Sequence, residues 1–325
     1  MSPRIAVTVG DPRGIGPEVA TRALEAPPAE AEYVVIGPEW QIAAIRADEK
    51  IAIDGNGEEG MGTGRARSRL TPPGGRSTGD VTGGHTDDSP FPIPLSPREA
   101  GLLAARAVER AVALALAGQV DAIVTGPAEK RALHAAGYEV PGHTEWLGQL
   151  AGGVDVAMLL QAAALRVVML TTHVPLRAVS GAITGERVRI AAGLARHALE
   201  HWWGIAEPRL ALCALNPHAG EGGLFGDEDD RVLAPAARDL GLAGPLPADT
   251  VFVRALEGEF DAVLTPAHDV GMTAVKVAGF GKGVNVTLGL PFVRTAPDHG
   301  TAFDIAGKGV ADAGSMREAV KLAVE

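Results

Sequence analysis

Residues 167–173 read VVMLTTH, residues 210–218 read LALCALNPH and residues 261–268 read DAVLTPAH. Each is an apolar run of strand length that ends in a histidine: His173, His218 and His268. Short continuous apolar runs bounded by turn residues are typical of strands buried on both faces. In open α/β sheets the loops at the carboxyl ends of parallel strands converge on one crevice. Three imidazoles delivered there would form an open three-ligand metal site, with a position left for water or substrate. The histidines lie 45 and then 50 residues apart. No local zinc-binding loop spans such distances, so the fold itself must assemble the site. Taken singly, a histidine after a strand is more often a loop residue or a hydrogen-bonded core group. The joint reading rests on the shared context of all three.

Outward from these runs, strands alternate with helices. Strands are predicted at 4–9, 33–36, 121–125, 167–171, 209–215, 262–265 and 284–287. A long helix is predicted over 95–117, with Ser96 as N-cap, Pro97 at the first helical position and Glu99 completing a capping box. GPAEKRALHAAG (126–137) reads as a helix closing on Gly137, Thr184 caps another through about Trp203, and Ser315 caps the last. Alternation of this kind implies a largely parallel sheet covered by helices on both faces. Residues 54–95 break the pattern: they are rich in Gly and Pro, end in PFPIPL, and read as a flexible excursion.

The chain has 325 residues, 46% of them hydrophobic, which suffices for one large or two smaller domains with a sizeable core. A net charge of −11 and the lack of a basic stripe argue against nucleic acid as a partner. No apolar stretch is long enough to span a bilayer, and no signal peptide is evident. The single Cys213 lies inside an apolar run and reads as a buried structural thiol, so a reducing cytoplasm is expected.

Several polar loops can carry chemistry. GDPRGIGPE (10–18) joins the first strand to the first helix and can offer backbone N–H groups to an anion, or serve only as a tight turn. It is neither a dinucleotide fingerprint nor a Walker loop. GHTEWL (142–147) sets His143 and Thr144 at a helix start, where they can bind phosphate or where Thr144 can simply cap the helix. In PADTVF (247–252), Asp249 is a site acid or a first-turn acid. AHDVGMTAVK (267–276) places Asp269 beside His268, where a carboxylate can orient the imidazole or share its metal. Lys276, eight residues beyond His268, is a phosphate ligand, a general base or a solvated lysine. The run at 279–309 packs Asn285, Arg294, Asp298, His299 and Asp304 among glycines, as a binding surface on loops does.

With GDPRGIGPE, TGPAEK, GHTE, TTHVPL, NPHAGE, PADTVF, HDVG and GVNVTLGLPFVRTAPDHGTAFDIAGKG in that order, the chain resembles the 4-hydroxythreonine-4-phosphate dehydrogenase family. The resemblance covers nearly everything outside 54–95. Its last motif is similar to the adenosine-binding loop of isopropylmalate dehydrogenase. It therefore implies an isocitrate/isopropylmalate dehydrogenase-like α/β fold of two α/β domains with a cleft between them. The expected division is 1–128 joined by 296–325 on the cofactor side, and 129–295 with the metal, substrate and dimer interface. A homodimer with active sites at the interface is implied.

Residue by residue, the resemblance makes His173, His218 and His268 ligands of a divalent metal, one of them supplied by the partner subunit. It makes His143, Thr144, Lys276, Asn285 and Arg294 substrate-binding. It places His299, Gly300, Thr301, Ala302, Asp304 and Ile305 on the adenosine side of NAD or NADP. Lys276, Asp249 and Asp269 are the candidate catalytic acids and bases. An all-nitrogen shell favours zinc, cobalt or iron, while substrate oxygens would also admit magnesium. The implied reaction is metal-dependent NAD- or NADP-linked oxidation of a small phosphorylated hydroxy acid. The expected substrate is 4-phosphooxy-L-threonine, converted with decarboxylation to 3-amino-2-oxopropyl phosphate in pyridoxal phosphate biosynthesis. A phosphorylated four-carbon sugar acid (threonate or erythronate phosphate) or a cis-diol acid is the alternative, and a non-catalytic binding protein the reading from another class. Three departures stand out: Ala267 and Val270 replace a Tyr and a Gln beside His268, and Arg13 replaces a small residue. The lost Gln contact bears on specificity, since a site built to hydrogen-bond its substrate discriminates strongly.

Overall fold

The computed structural model describes residues 2–54, 95–140, 142–279 and 281–325. The excursion expected at 54–95 thus falls almost wholly outside the described residues. Eleven strands form one sheet. They are β1 (Arg4–Thr8), β2 (Glu32–Gly37), β3 (Glu49–Ala52), β4 (Ala122–Thr125), β5 (Ala157–Ala162) and β6 (Leu165–Met169). The others are β7 (Leu210–Cys213), β8 (Ala243–Leu246), β9 (Ala262–Thr265), β10 (Val284–Leu288) and β11 (Val293–Pro297). Their order is β3-β2-β1-β4-β11-β10-β5-β6-β9-β7-β8.

The mixed α/β class agrees with the sequence reading, but the sheet is not parallel throughout. Strands β3, β2, β1, β4 and β11 form one parallel block, and β6, β9, β7 and β8 form another. Between them β11–β10, β10–β5 and β5–β6 pair antiparallel. Three antiparallel steps reverse the second block relative to the first. The two blocks therefore meet at the centre with their carboxyl ends on opposite edges of the sheet. Strands β3, β5, β8 and β11 are additional to those expected. The runs AMLLQA of β5 and VRTAP of β11 lack clean alternation, and a proline closes the second.

Side-chain alternation then divides the two faces of the centre. On β10, Asn285 and Thr287 point to one face, and Val284 and Val286 to the other. On β11, Arg294 shares the polar face through its bonds to Asn285 and Thr287. Thr295 faces the opposite way, and its Oγ1 donates to the carbonyl of Ala319 on the last helix (Gly314–Val324). Apolar clusters fill the remaining surface on both sides of the sheet.

The capping box at Ser96 is formed as expected: Glu99 N–H donates to Ser96 Oγ at 3.3 Å and Ser96 N–H to Glu99 Oε2 at 2.9 Å. Thr184 caps Gly185–His201 by accepting from Arg187 N–H at 3.1 Å. Ser315 is not a cap. The last helix has Ala313 as N-cap, two residues earlier, and Ser315 is buried inside the first turn. There it accepts from Asp298 N–H and donates to the Gly283 carbonyl or the Asp298 carboxylate. Cys213 is fully buried, and burial pushes its thiol up to about 12, as a structural cysteine requires.

Leu159 on β5 is fully buried and lies opposite Val286 and Val168. Leu159→Ala is expected to destabilise the protein by about 3 kcal/mol through lost burial and the cavity left behind. Thermal and urea unfolding check this, and a loss under about 1 kcal/mol would mean that the antiparallel centre is not packed as described.

Candidate active site

A cavity of about 470 Å³ opens over the polar face of the central strands. Its floor is Arg294 and Asn285, with Thr125 from the end of β4. Arg294 is 3% exposed, and its guanidinium meets only neutral partners. Nε and Nη2 donate to Thr125 Oγ1 at 3.2 and 2.6 Å, and Nη1 to Thr287 Oγ1 at 2.9 Å. Burial pushes its pKa down to about 10, so it stays a cation at neutral pH. Among the described residues it forms no ion pair. A buried cation without a counter-ion favours an incoming anion strongly.

One wall is the helix His143–Leu150. Gly142 is its N-cap, so Thr144 lies inside the first turn and makes no cap bond. The Nε2 of His143 is out of contact with solvent and has no partner among the described residues. Burial, and then the charge of Arg294, push its pKa down to about 3. His143 is thus a neutral imidazole with an unpartnered, buried Nε2 in the lining of the cavity that Arg294 floors. A neutral tautomer can donate that N–H to a phosphate or carboxylate oxygen.

His173 and His268 line the mouth of the same cavity, with ring centroids 5.4 Å apart. His173 follows β6; desolvation, the neighbouring His268 ring and Lys130 lower its pKa, against the opposite pull of Glu145. His268 opens the helix His268–Gly279, and its Nδ1 lies 2.8 Å from Asp269 Oδ1. That bond leaves Nε2 free. Two imidazoles with available nitrogens, one oriented by a carboxylate, suit a divalent metal. The third expected ligand is elsewhere. His218 sits exposed in the loop after β7 and does not line the cavity. Among the described residues, no three His, Cys, Asp or Glu side chains of one chain come together to hold a metal.

The other expected residues divide as well. Thr144, His299 and Gly300 line the cavity. Thr301, Ala302, Asp304 and Ile305 do not; they run along the first loop, where Ile15 N–H donates to the Thr301 carbonyl at 2.9 Å. That loop is tight: Gly10 has φ +77, and a Cβ on it would lie 2.2 Å from the Pro127 carbonyl oxygen. Arg13 is bound there by the fully buried Asp11, at 3.1 and 2.8 Å, and by Glu129 at 2.8 Å. Its guanidinium also covers the Phe303 ring at 5.1 Å. Lys276 donates to the Asp298 carbonyl at 3.0 Å and to its Oδ2 at 2.9 Å, so it reaches the cavity wall through Asp298. Asp249 is exposed in the first turn of Ala248–Leu256 and lies away from the cavity. Ala267 is buried in the core and Val270 is 39% exposed; neither lines the cavity.

Lys130, Glu145, Met272, Thr125 and Thr287 were not singled out in the sequence. The first two lie in the GPAEK and GHTE motifs, which could have indicated them. The hydroxyls sit at ordinary strand positions and carry no local signal.

Residues 88–323 match the family model of the pyridoxal phosphate biosynthetic protein PdxA. D-threonate 4-phosphate dehydrogenase of Salmonella typhimurium is 42% identical over 99% of this chain and 98% of its own length. 4-Hydroxythreonine-4-phosphate dehydrogenase of Thioalkalivibrio sulfidiphilus is 41% identical over 100% of this chain and 97% of its own. The crystal structure of 4-hydroxythreonine-4-phosphate dehydrogenase from Klebsiella pneumoniae superimposes with a TM-score of 0.78 at 37% identity, covering 100% of this chain and 98% of that one.

The depressed pKa of His143 gives stability a definite pH dependence. Below about 6.5 the unfolded chain takes up a proton that the folded site refuses until about pH 3, so stability falls as pH drops through that window. His143→Gln is expected to flatten the fall of Tm between pH 7.5 and 5, measured at constant ionic strength. An unchanged slope would mean that His143 is not buried neutral.

Proposed function

This chain belongs to the family of the pyridoxal phosphate biosynthetic protein PdxA, and from that premise we propose a metal-dependent, NAD- or NADP-linked dehydrogenase of a phosphorylated four-carbon hydroxy acid. The observation that carries this reading is the buried, unpaired Arg294 beside two imidazoles with available nitrogens in one cavity. Arg294, His143 and the first turn of His143–Leu150 would take the phosphate or carboxylate end. His173 and His268 would hold the metal, with Asp269 orienting His268. A bound divalent metal would supply Lewis-acid polarisation of the reacting hydroxyl, and a bound nicotinamide would accept the hydride.

In this chemistry the C3–H bond of the substrate breaks with its electron pair, and the hydroxyl proton leaves to base or water. A ketone β to the carboxylate results; loss of carbon dioxide leaves its bonding pair as an enolate, and a proton taken from an acid or water at C2 gives the amino-ketone phosphate. The neutral state of His143 suits it to donate a hydrogen bond rather than to carry charge. Lys276, held against the cavity-lining Asp298, would contact the substrate or move a proton from there. Residues 299–305, with the loop at 10–16 packed on them, would form the adenosine side.

The third imidazole is best supplied by a second copy of the chain. Exposed apolar residues follow each histidine: Val174 and Leu176 after His173, Leu224 and Phe225 after His218, Val270 and Val277 after His268. Apolar surface grouped around functional loops is characteristic of an interface. We therefore read the protein as a homodimer, with each site taking His218 from the partner. Residues 1–128 with 296–325, and 129–295, serve as its two domains.

Two substrates fit. 4-Phosphooxy-L-threonine is the main reading. D-threonate 4-phosphate is the second, favoured by the 42% identical Salmonella enzyme of that name. They differ at C2, ammonium against hydroxyl. Of the two cavity carboxylates, Asp298 is paired with Lys276, whereas Glu145 has no ion pair among the described residues. Glu145 is then the group that would meet a C2 ammonium.

Two experiments test this. Zinc- or cobalt-loaded protein is expected to reduce NAD or NADP with the phosphorylated acids and not with unphosphorylated threonine. Glu145→Gln should lower kcat/KM about tenfold or more for phosphooxythreonine and much less for threonate phosphate, the scale of one lost charged hydrogen bond. No metal-dependent turnover of either would contradict the reading. For the interface, inactive His218→Ala and His268→Ala proteins, co-expressed, should regain about one quarter of wild-type activity, since half the dimers are mixed and carry one intact site. A mixture as inactive as its components would mean that the ligands do not divide between subunits in this way.

A further inference from the structure

The loop that carries His218 is strained and held. His218, Ala219 and Glu221 have left-handed backbones, with φ of 52, 55 and 43°. Non-glycine residues persist there only when their surroundings over-determine them. Two consecutive carboxylates at the end of the loop do this. Asp229, fully buried, accepts the N–H of Leu215 at 2.8 Å and of Asn216 at 3.0 Å. Glu228 accepts Asn216 Nδ2 at 2.8 Å on Oε2 and Ser180 Oγ at 2.6 Å on Oε1. The approach is close: a Cβ on Gly226 would lie 2.7 Å from both Asn216 Nδ2 and Glu228 Oε2. The chain then enters a wide turn of π-helix at Asp229–Leu233, a feature often found at functional sites.

Ser180 belongs to the helix Leu176–Ala182, which directly follows His173. Glu228 thus joins the helix after one expected ligand to the root of the loop carrying another. The two hydrogen bonds hold its carboxyl down to about 2, so the contact is ionised throughout the neutral range.

We propose that Glu228 is a positioning residue for the metal site: it latches the His218 loop to the helix that follows His173. The latch sets the offset between the imidazole a subunit keeps and the one it presents to its partner. In a twofold dimer that one offset recurs at both sites, so it governs how well three nitrogens converge. The inference rests on the metal reading above. Asp229 supports the root of the loop from within, and Glu228 ties it to the neighbouring element.

The test is zinc affinity of the intact protein, measured by competition with a chromophoric chelator, together with Tm and amide exchange at Leu215 and Asn216. Glu228→Ala is expected to weaken zinc binding about 10- to 100-fold, the scale of lost outer-shell support. Glu228→Gln keeps an acceptor for Ser180 and should restore part of the loss. Ser180→Ala removes one arm and should give an intermediate loss, which covers the case of a Glu228→Ala protein that does not fold. His218→Ala is titrated in parallel. If His218→Ala weakens zinc binding while the Glu228 and Ser180 variants bind as wild type, even with a lowered Tm, the latch is overturned and the metal reading stands. If His218→Ala itself binds zinc as wild type, the latch falls together with that reading.

Discussion

The guanidinium of Arg294 is the constraint on which the site depends. It lies under the face of a sheet, 3% exposed, among hydroxyl and amide groups that carry no charge. Burying an ion this way is costly unless something completes its environment. The neighbours of β11 make the burial tolerable, because β4, parallel to it, and β10, antiparallel, bring Thr125, Thr287 and Asn285 to the face of Arg294. What neutral partners leave uncompensated, a phosphate or carboxylate can supply. An acidic protein, net charge −11, thereby keeps one cationic floor for a small anion.

The histidines around that floor are distinguished by environment. His143 is kept neutral by burial and by the nearby cation, which suits it to hydrogen-bond rather than to carry charge. His173 is also pushed toward neutrality, but at the cavity mouth, where a lone pair can meet a metal. His268 has one nitrogen held by Asp269 and the other free. On the proposed reading, chemically identical side chains divide between anion recognition and ligation according to depth and neighbours.

How much of this was legible in the sequence follows from which signals are local. The caps at Ser96 and Thr184 were readable because hydroxyl, spacing and helix start lie within four residues. The three histidines were readable as residues following strands β6, β7 and β9. The antiparallel centre was not, since β5 is a plain apolar run and β11 contains an arginine and a proline that argue against a buried strand. Ser315 mimics a cap in sequence, yet its hydroxyl serves Asp298 and Gly283, which lie 17 and 32 residues away. Residues 299–305 read as one cofactor loop, but His299 and Gly300 turn into the cavity while the rest packs along residues 10–16. Glu228 lies in the acidic run GDEDD, which looks like a solvated face; its contact to Ser180 spans 48 residues. Departures at Ala267 and Val270 looked like changes in the substrate pocket, and they fall outside the cavity of the single chain.

On the proposed reading an anion over Arg294 and a metal at His173 and His268 share one cavity, with the third imidazole arriving from a partner. Diffraction from crystals grown with cobalt and D-threonate 4-phosphate, with data collected at the cobalt absorption edge, tests it most directly. The expected result is one anomalous peak per site, about 2.1 Å from a nitrogen of each of His173 and His268 and of His218 from a second copy, with the ligand's anionic end on Arg294. A peak at any other group of side chains, or a ligand seated away from Arg294, would contradict it.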